Sequence, residues 1–172
     1  MKKIIFGAAM MLASVAAMAQ GYVGGGIGLT YNTDAEATEF TIAPEVGYNF
    51  SEKWAAGVAL EYSHISGGGT VNVFEIAPYA RYKFFNHDRV HLFVDGGFDL
   101  AIGDGDGDTV FMYQIGFKPG VAFDVTERFG LVAHFGFLGY QGANDAGSSV
   151  FPEKVGFDFS SSNLQFGFYV NF

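Results

Sequence analysis

Residues 74–100, FEIAPYARYKFFNHDRVHLFVDGGFDL, decide the fold. From Phe74 to Phe84 every even position is apolar or proline (Phe74, Ile76, Pro78, Ala80, Tyr82, Phe84), whereas the odd positions include Glu75, Tyr79, Arg81 and Lys83. A period of two marks an extended strand, because successive side chains there point to opposite faces. A polar turn follows at Asn86, His87 and Asp88. The alternation then resumes, with Val90, Leu92, Val94, Phe98 and Leu100 on one face and His91, Asp95, Gly97 and Asp99 on the other. The stretch reads as a hairpin carrying an aromatic face and a charged face back to back.

The unit recurs. Residues 40–60, FTIAPEVGYNFSEKWAAGVAL, repeat it down to the shared F-x-I-A-P; residues 113–135, YQIGFKPGVAFDVTERFGLVAHF, are a looser copy, and 164–172, LQFGFYVNF, half a copy. Recurrence at intervals of roughly 34–39 residues is the signature of a hairpin array. With a glycine-rich first strand over 22–31, eight strands are expected.

Residues 1–19 stand apart from the array. Lys2 and Lys3 precede an apolar run over 4–15, and Ala17-Met18-Ala19 supplies the small-x-small pattern of a signal-peptidase site. The run is too short for a membrane-spanning helix. The expectation is a secretory signal peptide cleaved after Ala19, leaving one domain over 20–172. With no cysteine in the chain, neither a lipid-anchored N-terminus nor a disulfide is possible. Loss of Lys2 and Lys3 leaves seven basic residues against 18 acidic ones, about −11 in formal charge, which argues against nucleic acid as a partner.

Alternation alone does not distinguish a soluble barrel with an apolar interior from a transmembrane barrel with an apolar exterior; volume does. The chain has 20 Phe and 9 Tyr, most of them on the apolar face, and the interior of an eight-stranded barrel is filled by a modest set of side chains. The opposite face is rich in glycine and alanine with a few charges, which suits a narrow lumen. The aromatic face therefore belongs against lipid, and the fold expected is all-β: an eight-stranded antiparallel transmembrane β-barrel. Tight turns are expected after even strands and longer, looser links after odd ones, at 32–38, 66–70, 103–108 and 141–162. Girdle aromatics are expected at one end at Tyr48, Phe50, Trp54, Tyr82, Phe84, Phe123, Phe129 and Phe172. At the other they are Tyr31, Tyr62, Phe74, Phe98, Phe111 and Phe137. Pro44 and Pro78 fall mid-strand without disturbing the alternation, which predicts a bend and a lost ladder bond in place of a bulge. The phase does shift between Val155, Phe157 and Phe159 and the even positions from Leu164 onward, which predicts a loop or bulge over 160–163.

A leader, eight amphipathic strands, tight inner turns and a last strand bearing Phe166, Phe168, Val170 and terminal Phe172 resemble the small outer-membrane β-barrel family, the class of OmpX and the OmpA membrane domain. The resemblance covers 20–172. It implies a monomer in the bacterial outer membrane, with outer-membrane lipid and lipopolysaccharide as surroundings. It also implies that Phe166, Phe168, Val170 and Phe172 form the signal read by the barrel-assembly machinery.

The lumen-facing set by parity is Glu45, Glu61, Glu75, Arg81, Lys83, Asp95, Asp99, Lys118, His134 and Gln165. It is expected to be a plug of paired charges, since unpaired charges in a dry interior cost several kcal/mol. Residues 103–108, GDGDGD, look like the start of a calcium loop. The twelfth position, where an acidic ligand is needed, is Ile115, so an acidic hairpin loop is expected and no metal or cofactor. His64 and Ser66, two apart on one face of the third strand, are similar to the His-x-Ser of outer-membrane lipid A deacylases. By parity Glu75 points away into the lumen, leaving the His without an orienting carboxylate. The function expected is therefore non-enzymatic: an envelope-structural or surface-interaction barrel acting through acidic outer loops. The alternatives are a narrow pore or transporter for small hydrophobic molecules and, less well supported, a lipid A-modifying enzyme.

Overall fold

The computed structural model describes residues 20–32, 36–67, 69–105, 108–145, 153–159 and 164–172. The leader 1–19 and the phase shift over 160–163 lie outside the described residues. The strands are β1 (Gly21–Asn32), β2 (Ala37–Asn49), β3 (Trp54–Ser66), β4 (Thr70–His87), β5 (Val90–Gly105), β6 (Asp108–Asp124), β7 (Phe129–Phe135), β8 (Phe137–Ala143), β9 (Lys154–Asp158) and β10 (Leu164–Asn171). Every pairing is antiparallel. Strands β1 to β6 pair in sequence order; β6 then pairs with β7 along its lower part and β8 along its upper part. Strand β9 pairs with β8, and β10 pairs with β7 and with β1, which closes the cylinder. Strands β7 and β8 are thus two halves of a seventh barrel strand, and β9 and β10 two halves of the eighth. The sheet is a closed eight-stranded antiparallel barrel.

Both halves of the seventh strand meet at Gly136, whose φ of 83° is open to glycine and strained for other residues. Below it Gly120 faces His134; above it Phe117 faces Leu138, one residue out of step. A one-residue slip sends every later side chain to the opposite face. Phe137, expected in the outer girdle, is consequently turned inward and buried. Pro119 sits against this bulge, where its missing N–H interrupts no regular ladder. Pro44 and Pro78 behave differently. The β2–β3 ladder skips Ala43 and Pro44, and the β4–β5 ladder skips Ala77 and Pro78, each resuming in the same register. Each proline costs a ladder step without a bulge. The bulge in β4 lies lower, between Lys83 and Phe85.

At the end that holds the described N- and C-terminal residues, two turns are copies of one another. Ser51 Oγ accepts from the backbone N–H of Lys53 and Trp54, at 3.3 and 3.1 Å, and Thr126 Oγ1 accepts from Arg128 and Phe129, at 3.3 and 2.9 Å. Hydroxyl-capped turns of this kind follow from S-E-K-W and T-E-R-F. The third turn, 88–89, is a two-residue hairpin with Asp88 in the left-handed region (φ 48°), which aspartate tolerates. The opposite end departs from expectation. Its links at 33–36, 67–69 and 106–107 are short, and Gly103 and Asp104 belong to β5. Only 144–153 is long. The reason is that β4, β5 and β6 run for 18, 16 and 17 residues, zipping up what composition marks as loop. Short turns face the periplasm in such barrels, so the end carrying 144–153 is the outer one.

Apolar side chains cover the outside, with Ile27, Leu29, Phe40, Phe74, Phe98, Phe117, Leu131 and Phe166 among those exposed. Inside, Tyr22, Ala55, Phe93, Ala122, Val132 and Tyr169 form the buried core with Tyr79 packed on it. Glycine makes room for the rings. Tyr22 lies on Gly47, Tyr79 on Gly57, Phe93 on Gly120 and Tyr169 on Gly130, and each ring is the direct cross-strand partner of its glycine. A Cβ added at any of these glycines would come within 2.2 to 2.7 Å of its ring.

Candidate functional site

The lumen is divided by a layer centred on Arg81, projected inward from β4 opposite Asp95 of β5. The guanidinium donates from Nε to Asp95 Oδ1 at 2.7 Å and from Nη2 to Asp95 Oδ2 at 2.8 Å. This is the planar two-bond geometry that arginine forms with a carboxylate. Its carbon stands 4.1 Å from the centre of the Phe93 ring and 5.1 Å from that of Tyr79, so the cation is sandwiched by π faces as well as paired. His134 Nε2 completes Asp95 at 2.8 Å, and the Tyr22 and Tyr79 hydroxyls are 2.6 Å apart. The layer joins four strands around the barrel, and the Phe93 ring within it is fully buried.

Beneath this layer is a void of about 180 Å³ lined by Asn49, Lys83, His91, Asp124 and Tyr169. Lys83 Nζ donates to Asn49 Oδ1 at 3.0 Å, His91 Nε2 meets Asp124 Oδ2 at 2.8 Å, and the Tyr169 hydroxyl bonds the other Asp124 oxygen. Above it is a larger chamber of about 580 Å³, reaching from Tyr79 and Asp95 to Glu39 near the outer rim. Here Lys118 Nζ and Gln114 Nε2 both donate to Asp99 Oδ2, at 2.6 and 2.7 Å. Glu61 and Glu75 face each other directly across β3 and β4, and Glu61 accepts from Ser63 Oγ at 3.3 Å. Glu45 is buried and its Oε1 has no hydrogen-bond partner.

The set read from parity thus divides in three. Arg81, Asp95 and His134 form the dividing layer; Lys118 and Asp99 pair above it; Lys83 sits below, bonded to an amide. Glu45, Glu61, Glu75 and Gln165 line the chamber. Sequence reading passed over the inward rings Tyr22, Phe93 and Tyr169 as partners of this set. The available signal was a large ring at an inward parity whose hairpin partner is glycine. Among the described residues no group of three or more His, Asp or Glu is arranged to hold a metal ion.

His64 and Ser66 lie near the outer end of β3. His64 Nδ1 is 2.8 Å from Asn72 Oδ1, which also accepts from the Tyr62 hydroxyl at 2.9 Å. The group that orients His64 is therefore an amide from β4. Of the last-strand residues, Phe166, Phe168 and Phe172 are exposed on the outside of the barrel and Val170 is half-buried.

A closed antiparallel barrel of eight strands, apolar outside and polar inside, defines the class: a small transmembrane β-barrel. The model of the outer membrane protein beta-barrel domain family matches residues 5–172, and the chain belongs to that family and to the outer membrane. Among solved structures it is similar to the crystal structure of Neisserial surface protein A (NspA), with a TM-score of 0.54 at 18% identity over 89% of this chain and 95% of that one. At that identity the likeness carries the fold alone. No curated protein matches the chain.

Proposed function

We propose that this is a closed, non-enzymatic barrel that serves the outer membrane as a structural and surface-interaction protein and does not conduct. The observation that carries the reading is the Arg81 layer, a desolvated ion pair packed against rings that lies between the lower void and the outer chamber. Opening it would strip Arg81 of both its carboxylate and its π partners, at a cost of several kcal/mol. The outer end supplies the interaction surface: Glu36, Glu39, Asp104, Asp145 and Glu153 cluster there with Lys154. In the same reading the leader is removed after Ala19, lipopolysaccharide surrounds the rim, and the last strand is the segment recognised during assembly. Conductance of the refolded monomer in planar bilayers tests it. Steps are expected to be absent in wild type; stable channel steps would replace this reading with a pore. The non-enzymatic part has its own test, since Ser66→Ala is expected to leave the lipid A acylation of expressing cells unchanged.

A further inference from the structure

The barrel is not equally closed along its height. Strand β1 pairs with β2 over its whole length, Gly21 to Asn32, but with β10 only as far as Gly25 opposite Phe168. Beyond that point Gly26 to Leu29 run on in register with Gly167 to Leu164, all described residues, yet no pairing joins them. Gly25 is where the ladder ends, and the two backbones remain close as far as Gly26. Its φ of 140° is strained for any other residue, and a Cβ there would meet Ala43 O at 2.2 Å. The separation then widens: a Cβ at Gly26 would still touch Phe166 O at 2.9 Å, whereas at Gly28 only Thr41 of β2 is within reach. Inward positions 24, 26 and 28 are all glycine, so no side chain from this part of β1 bars the gap, and Gln165 of β10 is the inward side chain beside it. Its outer lips are apolar and bare, with Ile27 69%, Leu29 75% and Phe166 69% exposed.

The gap leads into the upper chamber, whose wall includes Gly25 to Leu29 and Leu164 to Gly167. That chamber is short of cations. Lys118 is committed to Asp99, and Arg81 and His134 to Asp95, while Lys154 lines the adjoining outer cavity with Glu61 and Glu75 without pairing with either. Among the described residues nothing basic is within ion-pairing distance of Glu39, Glu45, Glu61 or Glu75. Glu45 is nine-tenths buried, lines the chamber, and leaves Oε1 without a partner. Buried acceptors of this kind are normally satisfied, and a carboxylate most strongly by a charged donor.

We propose that the outer chamber is a binding site for an amphiphile with a cationic nitrogen head, which enters sideways from the membrane between β1 and β10. The head donates to Glu45, Glu61 and Glu75, and the apolar tail leaves between Gly28 and Leu164 to lie on Ile27, Leu29 and Phe166 in the lipid. The head satisfies acceptors that the chain leaves unmet, and the tail covers the lips of a seam that lacks its ladder. This goes beyond a surface role for the rim and does not depend on it, since a barrel that never conducts binds such a ligand equally well.

The test uses the refolded chain in phosphatidylcholine nanodiscs, with partition into empty discs subtracted. Dodecylammonium is expected to bind saturably at one per barrel, at least tenfold more tightly than dodecyl sulfate and than ethylammonium. Glu61→Gln with Glu75→Gln is expected to weaken it tenfold or more while the barrel stays folded. Because the chain has no cysteine, Gly28→Cys with Gln165→Cys, opposite one another when the Gly25–Phe168 register is carried on, offers one disulfide across the seam on oxidation. Oxidation is expected to abolish dodecylammonium binding and reduction to restore it. If the pair does not cross-link, Gly28→Trp fills the same passage and carries the same expectation. Uptake no greater than in empty discs, equal binding of the sulfate, indifference to the two glutamines, or full binding through a blocked seam would each overturn the proposal. Calcium binding that displaces the probe with no preference for a tail would reduce the chamber to an inorganic-cation site and overturn it too.

Discussion

At Gly120 a single methyl group has no room, because a Cβ there falls 2.4 Å from Cζ of Phe93, a ring with nowhere to retreat between Arg81 and His134. Gly120→Ala is expected to destabilise the barrel by about 1–3 kcal/mol, the usual cost of overpacking. Phe93→Leu in the same chain should recover part of that loss, a coupling that equilibrium urea unfolding in lipid vesicles reads as a double-mutant cycle. Independent costs that simply add would remove the ring-on-glycine account. The ion pair beside it makes a second, sharper prediction. Asp95→Ala leaves Arg81 buried without its carboxylate and is expected to cost about 3–5 kcal/mol, whereas Arg81→Met with Asp95→Leu is expected to cost much less, since it removes both charges. A double variant as unstable as the single one would mean that the pair is a net stabiliser.

Strand length shows at the next scale what composition hides. A tilted strand crosses the bilayer in about 9–11 residues, so β4, β5 and β6, at 18, 16 and 17, stand well clear of it. Alternation made the strands, the lumen-facing charges and even the harmless prolines legible, because each depends only on period two. Three things were not legible for a common reason. Gly136 inserts one residue and turns Phe137 inward; Gly103 and Asp104 pair although their composition says loop; Asn72 meets His64 from the neighbouring strand. All three are set by register between strands, and a one-residue slip is invisible to a periodicity that is identical on both sides of it. The last strand carries the prediction at this scale. Phe172 and Phe123 lie at the same periplasmic end, 44% and 45% exposed, so burial alone assigns their loss similar costs. Phe172→Ser is nevertheless expected to lower the yield of assembled barrel in the outer membrane severalfold more than Phe123→Ser. Equal yields would leave the terminal aromatic as one girdle residue among several.

For the whole molecule, closure in a membrane is a rule about backbone groups: each N–H and C=O in the hydrocarbon needs a partner, and an open edge leaves a row of them unmet. Among the described residues seven of the eight seams are laddered through most of their height, and the eighth is laddered only from Tyr22 to Gly25 on β1. In an antiparallel strand alternate residues direct their amides to opposite neighbours. About half the amides from Gly26 to Leu29 therefore point at β2 and are bonded, while the rest point into the unpaired seam. Hydrogen exchange of the refolded barrel in lipid should show this as an alternation within one strand. Amides facing β2 are expected to be as slow as those of β4 and β5, and their immediate neighbours faster by orders of magnitude because no global opening is needed to expose them. Below Gly25 the alternation should vanish, since both sides are paired there. Detergent or lipid that merely loosens the outer end would speed all amides of β1, β2 and β3 at that height together. Uniform protection from Gly21 to Tyr31 would mean that β10 continues its ladder upward, and the barrel would then be sealed on every side.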